Sequence, residues 1–406
     1  MDPQLRSRFN ADFSAEKYAA LLRCVNESVR WPADFRISET PIFLTPGFTG
    51  EAVAAARLIE AQTRTAEFKR HAASAIPAGL EVPNESSHPE VVIVDLGICE
   101  EAGRLVPRLI ELQAFPSLFG FQFMLLGCMR RSFPAIPANW TSTFGGLQDS
   151  DYLELLRRTI VGEANPENVV LLEIEPEKQK TRIDFACTEV LLGIRSVCLT
   201  EVKKKGRQLF YQLDGREVRI DRIYNRVIFD ELERRPDLKL DFSFQEDLEV
   251  KWIPHPNWYY RISKHSLPFL KTPHTSPAYF ADEFPAFAEA TAGRPPNESI
   301  EDYVLKPLYS FAGLGVDMEP TKEKLAALPQ PHSWILQKKV SYAAFVETVD
   351  GPKSKAELRM MFLWPENEPE PILVNNLVRM SQGLMMGVNF NKEKTWVGSS
   401  IALHLR

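Results

Sequence analysis

The segment 303–316 constrains this chain more than any other. Its apolar start predicts a short strand, which ends in Lys306 and leads into a loop with Gly313 and Gly315. A lysine ammonium is a point charge that suits phosphate, and glycines let backbone N–H groups approach phosphate oxygens. The lysine precedes the glycines and no Gly-Lys-Ser/Thr follows, so this is not a Walker loop. The segment predicts a polyphosphate site, and a surface strand ending in a turn is the alternative.

Residues 88–125 predict a β-hairpin that gathers oxygen ligands. A β-branched run, a turn near Gly103 and a returning strand place Asp95 close to Glu111. Because side chains alternate along a strand, Glu111 and Gln113 share one face. Two carboxylates and an amide oxygen are ligands that suit Mg²⁺. A polar sheet face turned to solvent is the alternative.

Length and composition exclude several classes of protein. A chain of 406 residues with 44% hydrophobic and 25% charged residues is typical of a soluble globular protein of two or three domains. The net charge of −6 does not indicate a basic surface that would bind nucleic acid, so we expect no nucleic-acid partner. No apolar stretch is long enough to span a bilayer and no signal-peptide core begins the chain, so we expect no membrane partner. The five cysteines lack a CxxC spacing, and we expect reduced thiols in a cytoplasmic protein.

The order of predicted elements divides the chain into regions. A strand–helix–strand pattern at 168–198 is what a small parallel α/β unit needs, and late strands flank a proline-rich loop at 365–371. We expect a helical N-terminal region at 1–85, a first core part with the hairpin at 86–160, an α/β substrate domain at 161–240, and a nucleotide-binding lobe with C-terminal strands at 241–406.

Other polar residues add to the phosphate interpretation. Lys264 stands at the start of a predicted helix, and Arg379 lies on a late strand where its guanidinium suits a γ-phosphate. The strand that includes Gln337 and Lys338 and ends near Val340 offers backbone groups to an adenine edge. A surface lysine and a salt-bridged arginine are the ordinary alternatives.

A predicted strand around residue 222, with polar and apolar residues on both faces, contains candidate partners for a substrate carboxylate. Arg222 and Arg226 share one side of that strand by alternation, and a guanidinium fork fits a carboxylate. A solvated strand face is the alternative. No HExxH spacing and no Gly-x-Ser-x-Gly elbow occurs, which argues against a zinc hydrolase and an α/β-hydrolase.

Taken together, these motifs resemble the ATP-grasp superfamily. More narrowly, they are similar to the circularly permuted ATP-grasp ligases, the group of glutathionylspermidine synthetase and the eukaryotic type of glutathione synthetase. The matching motifs cover residues 88–125 and 250–405 and are Asp95, Glu111-Leu-Gln113 with Pro116-Ser117, Ser263-Lys264, and Val304-Leu-Lys306-Pro307. The metal carboxylates precede the lysines here, whereas ordinary ATP-grasp chains have the reverse order.

The resemblance implies an α+β fold, a permuted ATP-grasp core with an inserted small parallel-sheet domain. It implies a ligase that uses ATP and Mg²⁺ to join a small-molecule or peptide carboxylate to an amine or thiol through an acyl phosphate. Together with the residue patterns above, the resemblance gives these candidate sites: catalytic Lys306 and Arg379; nucleotide-binding Lys264, Lys306, Ser310, Gly313, Gly315, Gln337, Lys338 and Val340; and metal-binding Asp95, Glu111 and Gln113. The strand pattern alone gives substrate-binding Arg222 and Arg226.

Two departures from the family pattern leave other functions open. Gln113 stands where the family usually has asparagine, and the loop after Lys306 is less glycine-rich than usual. A nucleotide-binding protein without turnover and a phosphotransferase on the same scaffold are the alternatives. The sequence does not indicate an oligomeric state.

Overall fold

A computed structural model describes residues 1–284, 299–310, 313–383, 386, 391 and 393–406. It is a mixed α+β structure with several sheets, which agrees with the predicted class. Within the described ranges, every helix is too short or too polar to cross a lipid bilayer.

The helices follow the predicted apolar spacing, and several begin at a capping side chain. Asp2, Ser14, Thr45 and Thr65 each accept a hydrogen bond from a backbone N–H of the helix that follows. The helices of the described residues are α1 (Pro3–Asp12), α2 (Ala15–Glu27), α3 (Pro46–Thr63), α4 (Ala66–Ala72), α5 (Phe119–Ser132), α6 (Asp149–Ile160), α7 (Arg182–Leu192), α8 (Phe229–Glu233), α9 (Pro256–Arg261) and α10 (Lys322–Ala326).

The strands belong to five sheets. They are β1 (Ile42–Phe43), β2 (Val91–Glu101), β3 (Arg104–Gln113), β4 (Trp140–Thr141), β5 (Val169–Glu173), β6 (Arg195–Cys198), β7 (Lys203–Lys205), β8 (Gln208–Leu213), β9 (Arg216–Ile220), β10 (Arg222–Asn225), β11 (Lys251–Ile253), β12 (Ala278–Phe280), β13 (Tyr303–Pro307), β14 (Trp334–Lys338), β15 (Lys355–Leu363), β16 (Ile372–Ser381), β17 (Gly398–Ser400) and β18 (Ala402–Leu405).

The central sheet is antiparallel and joins the predicted hairpin to the late strands. Its order is β17-β16-β15-β2-β3, so β2 pairs with both β3 and β15. The hairpin is confirmed: Ala102 and Gly103 both have positive φ at its turn, and Asp95 lies opposite Glu111. Helix α3 packs against β2 and β3 and covers one face of this sheet. The candidate polar residues lie on the other face.

A smaller antiparallel sheet lies over the edge of β3. Its order is β12-β14-β13, and it contains the predicted strand that ends at Lys306. Side chains of this sheet donate hydrogen bonds to backbone carbonyls of β3 at Leu109 and Ile110. The two sheets therefore meet where the predicted phosphate lysine and the predicted metal carboxylate approach each other.

The predicted α/β unit is a parallel sheet of order β11-β10-β5-β6. The chain leaves β5 toward β6 on one side and returns to β10 on the other, so β5 and β10 flank a topological switch point. The alternating pattern of residues 207–230, with a turn at Asp214-Gly215, predicts one long hairpin, and that prediction is wrong in its second half. The returning strand ends at Ile220, and β10 joins the parallel sheet because its apolar residues Ile223 and Tyr224 are buried there.

The expectation of five reduced cysteines is also wrong. Cys24 of α2 and Cys128 of α5 form a disulfide, with Cα atoms 5.7 Å apart. The sequence did not predict this disulfide because the two cysteines are 104 residues apart and the packing of α2 on α5 brings them together. Cys99, Cys187 and Cys198 are free. The disulfide removes the argument for a cytoplasmic location that was based on thiol chemistry.

Two shorter sheets complete the described structure. The chain termini meet in one of order β1-β18-β4, where β1 runs parallel to β18. The other, of order β7-β8-β9, lies beside the parallel sheet. The region boundaries predicted at 85, 160 and 240 stay predictions. Residues 271–300 are rich in proline and alanine, a composition typical of a long connection. The segment contains β12, and its residues 285–298 lie outside the described part.

Candidate functional site

Asp95 lies at the centre of a buried charge cluster on the central sheet. Arg359 is directly opposite it on β15, and its Nε and Nη2 donate to the two carboxylate oxygens at 2.7 and 2.8 Å. Arg379 of β16 also donates from Nη2 at 2.8 Å. The Asp95 side chain has no exposed surface. Burial by itself would raise the pKa of Asp95, but the two guanidinium groups outweigh it and lower that pKa.

The same cluster extends along β15. Arg379 lies opposite Glu357 and forms a second ion pair with it at 2.8 Å, and the hydroxyl of Tyr342 donates to the other oxygen of Glu357. About a third of the Arg379 side chain, 36%, is exposed, whereas Asp95 and Glu357 are buried. Its Nε has no hydrogen-bond partner among the described residues. Arg379 is therefore the member of the cluster with spare donor capacity.

Glu111 and Lys264 form the entrance to the candidate site. The Lys264 ammonium lies 3.2 Å from the Glu111 carboxylate and donates to the Ser310 carbonyl at 2.5 Å. Lys264 starts a 3₁₀-helix (Lys264–Phe269), which confirms its predicted position at a helix start. The Ser310 hydroxyl is buried without a partner among the described residues. Three predicted site residues from three separate segments are thus in contact.

Lys306 lies behind this entrance. Its ammonium donates to the Gln337 side-chain oxygen at 2.6 Å and to the Ile110 carbonyl at 3.3 Å. Burial lowers the pKa of Lys306 to about 8, an effect that Glu111 opposes and Lys264 reinforces. Lys306 is therefore a charged but poorly solvated ammonium near neutral pH, and its hydrogen bonds to described residues go to neutral oxygens. Such a group gains more from a phosphate than a solvated lysine does.

A small cavity separates these side chains. Gln113, Lys264 and Ser310 line it together with Glu111 and aromatic side chains that include Phe115. Its free volume is about 20 Å³ at the scale of a water molecule, which is room for about one water. A larger anion therefore requires the Lys264–Glu111 contact to open.

The charges of the site are unequal. Glu111 pairs with Lys264, and it interacts electrostatically, without a described ion pair, with Lys306 and Arg379. Asp95 and Glu357 supply two more negative charges, and Arg359 supplies a fourth positive one. Cations outnumber carboxylates by one, so the cluster attracts an anion.

The predicted Mg²⁺ ligands do not form a metal site as they are arranged. Both Asp95 oxygens accept from guanidinium groups, and one Glu111 oxygen faces the Lys264 ammonium. Among the residues that the structure describes, no group of three or more His, Cys, Asp or Glu side chains converges on a point that could hold a metal ion. Gln113 and Glu111 both line the cavity.

The loop after β13 has the backbone conformation that glycine permits. Gly313 and Gly315 have φ of +76° and +75° and are exposed. The loop closes through paired hydrogen bonds between the backbones of Leu305 and Asp317, both 2.9 Å. Its role as a lid stays a prediction, and residues 311–312 of the loop lie outside the described part.

The strand predicted to contact adenine is β14, but its groups are partly engaged. The side-chain oxygen of Gln337 accepts a hydrogen bond from Lys306, and its amide nitrogen donates to the Leu109 carbonyl at 3.0 Å. The Lys338 N–H donates to the Pro277 carbonyl at 2.9 Å, and Val340 follows the strand. Gln337 thus positions Lys306, a role that the sequence did not predict. Adenine binding by Lys338 and Val340 stays a prediction.

Arg222 and Arg226 lie at opposite ends of β10 and do not form a pair. The Arg222 guanidinium donates to the carbonyls of Thr159 and Ile160 at 3.1 and 3.0 Å, where it satisfies the C-terminal end of α6. Its contacts are those of a structural residue, and it has no described contact with Lys264, Lys306 or their neighbours.

Arg226 lies at the carboxyl end of the parallel sheet, at the switch point. It donates to the Pro116 carbonyl, lies 3.8 Å from Asp184 and packs over Phe115, which lines the cavity. Its Nε has no partner among the described residues. Glu173 ends β5 nearby, and burial raises its pKa to about 8 although Arg226 opposes this. Of the two predicted substrate arginines, Arg226 alone occupies a position where ligands of open α/β sheets bind.

Sequence reasoning missed Arg359, Glu357 and Tyr342. Glu357 and Arg359 are two residues apart on β15 and therefore share a face, which is a visible pattern of alternating charge. The sequence does not show that β15 pairs with the hairpin strand β2. That pairing gives Arg359 its role.

The comparisons with known proteins support the fold class. No family model and no curated protein matches this chain. Solved structures do match, and the fold they indicate is that of a glutathione synthetase-like protein. One of them is the apo form of a glutathione synthetase-like effector from Globodera pallida. It is 12% identical and has a TM-score of 0.53 over 100% of this chain and 98% of that chain. At this identity the likeness concerns the fold alone, and the permuted ATP-grasp connectivity stays a prediction.

Proposed function

We propose that this protein binds ATP at the cleft around Glu111 and uses it to activate a substrate carboxylate for ligation. The observation that supports the proposal most is that Lys264 contacts both Glu111 and Ser310, while the Lys306 ammonium is held at the carbonyl of the neighbouring Ile110. Arg379 interacts with Glu111 electrostatically. Phosphoryl transfer requires cations around the transferring oxygens. The glutathione synthetase-like fold agrees with this chemistry.

The proposed reaction has two steps. A carboxylate oxygen of the substrate attacks the γ-phosphorus, the bond to the β–γ bridging oxygen breaks, and ADP leaves. An amine or thiol then attacks the acyl carbon of the acyl phosphate, phosphate leaves, and the nucleophile loses its proton. Lys306 and Arg379 would hold the γ-phosphate, and Lys264 would hold the phosphate nearest the entrance. The glycine loop would exclude water from the acyl phosphate.

The substrate carboxylate would bind near Arg226. This arginine packs over Phe115, a residue of the cavity wall. Its unpartnered Nε offers one donor. Arg222 is not part of this proposal because its guanidinium already satisfies the end of α6.

The test is product analysis with ATP and mixtures of carboxylates and amines. ADP with a new amide supports the ligase, and ADP with a phosphorylated acceptor supports the phosphotransferase instead. Glu111→Gln is expected to keep the fold, because this carboxylate is partly exposed, yet to lower turnover strongly. Arg222→Gln is the matched variant whose kcat is expected to change little. Full turnover in Glu111→Gln would show that the cleft is not the reaction site.

A second candidate is an ATP-binding protein without turnover, which the Asp95 contacts favour. A carboxylate whose two oxygens accept from two arginines does not activate a phosphate. ATP binding without ADP release under any substrate mixture would support this candidate. Absence of ATP binding would reject both.

A further inference from the structure

We propose that Arg359 takes the place of a divalent cation at Asp95, so that this part of the cleft binds an anionic ligand without a metal ion. The guanidinium group engages both Asp95 oxygens, at 2.7 and 2.8 Å. A metal ion would need the same lone pairs. The sheet register places Arg359 directly opposite Asp95, so the two side chains meet without a shift of the backbone.

The surroundings make this pair a fixed charge rather than a mobile surface contact. Asp95 is entirely buried and Arg359 is 7% exposed. Because a planar guanidinium matches a carboxylate with two parallel hydrogen bonds, its position is set precisely. A hydrated magnesium ion would have to lose most of its water to reach Asp95 and would have to displace this fork.

The pair also frees Arg379 for a ligand. Asp95 accepts hydrogen bonds from both arginines. Arg379 is therefore held by Asp95 and Glu357, but about a third of its side chain is exposed, and its buried Nε has no partner among the described residues. In a metal site the two carboxylates would instead bind the ion. Here Arg359 neutralises Asp95 and Arg379 meets the anion directly.

The decisive measurement uses Mg²⁺ alone and needs no nucleotide. Melting temperatures are measured in EDTA and in MgCl₂ for the unmodified protein, Arg359→Ala, the milder Arg359→Gln, and Arg359→Ala with Asp95→Asn. We expect no response to Mg²⁺ in the unmodified protein, a lower Tm in the single variants that Mg²⁺ partly restores, and no restoration in the double variant. Arg108→Ala, which removes an exposed arginine of the same sheet, is the control and should not respond.

Two outcomes would overturn the proposal. One is a rise of Tm with Mg²⁺ in the unmodified protein as large as in the single variants. The other is a loss of stability in both single variants that Mg²⁺ does not restore, which is the behaviour of a purely structural ion pair. If Arg359→Ala does not fold, Arg359→Gln and the unmodified protein still decide.

A second measurement, which rests on the proposed function, concerns ADP and ATP affinity by calorimetry. We expect the unmodified protein to bind equally well in EDTA and in MgCl₂, and Arg359→Ala to bind at least about tenfold more weakly in EDTA, because Asp95 then lacks its neutralising partner and its charge opposes the anion. Binding by the unmodified protein only with Mg²⁺ would overturn the inference and leave the proposed function intact. Absence of binding in both buffers would reject the proposed function, and the melting experiment would still test Arg359.

Discussion

Two regions of this molecule bury arginines beside carboxylates, and they do so with opposite results. On the central sheet, Arg359 and Arg379 engage Asp95 while Lys264 and Lys306 approach Glu111, so positive charge is in excess. At the carboxyl end of the parallel sheet, Arg226 is the cation beside two buried acids, Glu173 and Asp184.

The second region avoids excess negative charge by protonation. The pKa of Glu173 is raised to about 8, so this acid is mostly neutral at physiological pH. Asp184 accepts hydrogen bonds from the N–H groups of Leu118 and Phe121 at 2.9 and 3.0 Å, so backbone donors share its charge with Arg226. The comparison teaches that buried arginine by itself does not make a site for a multiply charged anion such as a polyphosphate. The excess of cations and their partial exposure do.

The largest expected effect is on Asp95. Asp95→Asn leaves Arg359 and Arg379 without their shared carboxylate, and removal of one partner of a buried ion pair costs about 3–5 kcal/mol of unfolding free energy. Asp184→Asn should cost about 1–3 kcal/mol, because the amide oxygen still accepts from one of the two backbone donors. Urea unfolding measures both.

Glu101→Gln is the control for these variants. It removes the exposed partner of Arg108 on the same sheet and should cost less than about 1 kcal/mol. Equal losses for Asp95→Asn and Asp184→Asn would break the comparison, because it assigns the two carboxylates different kinds of partner.

The next effect concerns Lys306. Lys306→Ala should weaken ATP binding by about 1.5–3 kcal/mol, roughly tenfold to 150-fold, because a poorly solvated phosphate loses a charged partner. Calorimetry measures the affinity, and a thermal melt checks that the variant folds. Lys339→Ala, which removes an exposed lysine whose ammonium donates to the Glu301 carbonyl, is the control. Unchanged affinity in Lys306→Ala would place the nucleotide elsewhere.

Glu173 gives a pH-dependent prediction for the parallel sheet. Its folded pKa is raised, so its contribution to stability is fully present below its ordinary pKa and is lost as pH rises through about 8. From about pH 5 to 8, the stability of the unmodified protein relative to Glu173→Gln should fall, by at most about 1.4 kcal/mol per pH unit. Parallel unfolding curves for the two proteins would show that Glu173 titrates normally.

The smallest effect is the pH dependence of anion binding at the cleft. The pKa of Lys306 is lowered to about 8, so it loses its charge above that pH unless a phosphate holds the proton. ATP affinity in EDTA should therefore fall above pH 8, by at most about tenfold per pH unit. Lys306→Met, which cannot titrate, should bind weakly with a flat profile. A steep slope in both proteins would assign the titration to another group.

The sequence by itself determined much of the local structure. Alternation and turn residues predicted the hairpin, including the position of Asp95 opposite Glu111, and the strand that ends at Lys306. These features depend on neighbours within about 20 residues, where periodicity and turn chemistry decide the outcome. The resemblance of short motifs then brought Lys264, Lys306, Glu111 and Ser310 into one predicted site. The structure places Lys264 in contact with Glu111 and Ser310, and Lys306 donates to the carbonyl of Ile110, the residue before Glu111.

Only the tertiary structure decided the partners of those residues. Asp95 meets Arg359 across 264 residues of sequence because β2 pairs with β15, and Cys24 meets Cys128 because α2 packs on α5. The strand that begins at Arg222 was predicted to belong to a hairpin, but it pairs with β5 and β11 in the parallel sheet. Arg222 and Arg226 therefore lie at its opposite ends. Local periodicity fixes which face a side chain takes. It does not specify which distant strand or helix covers that face, because this depends on the burial of the whole chain.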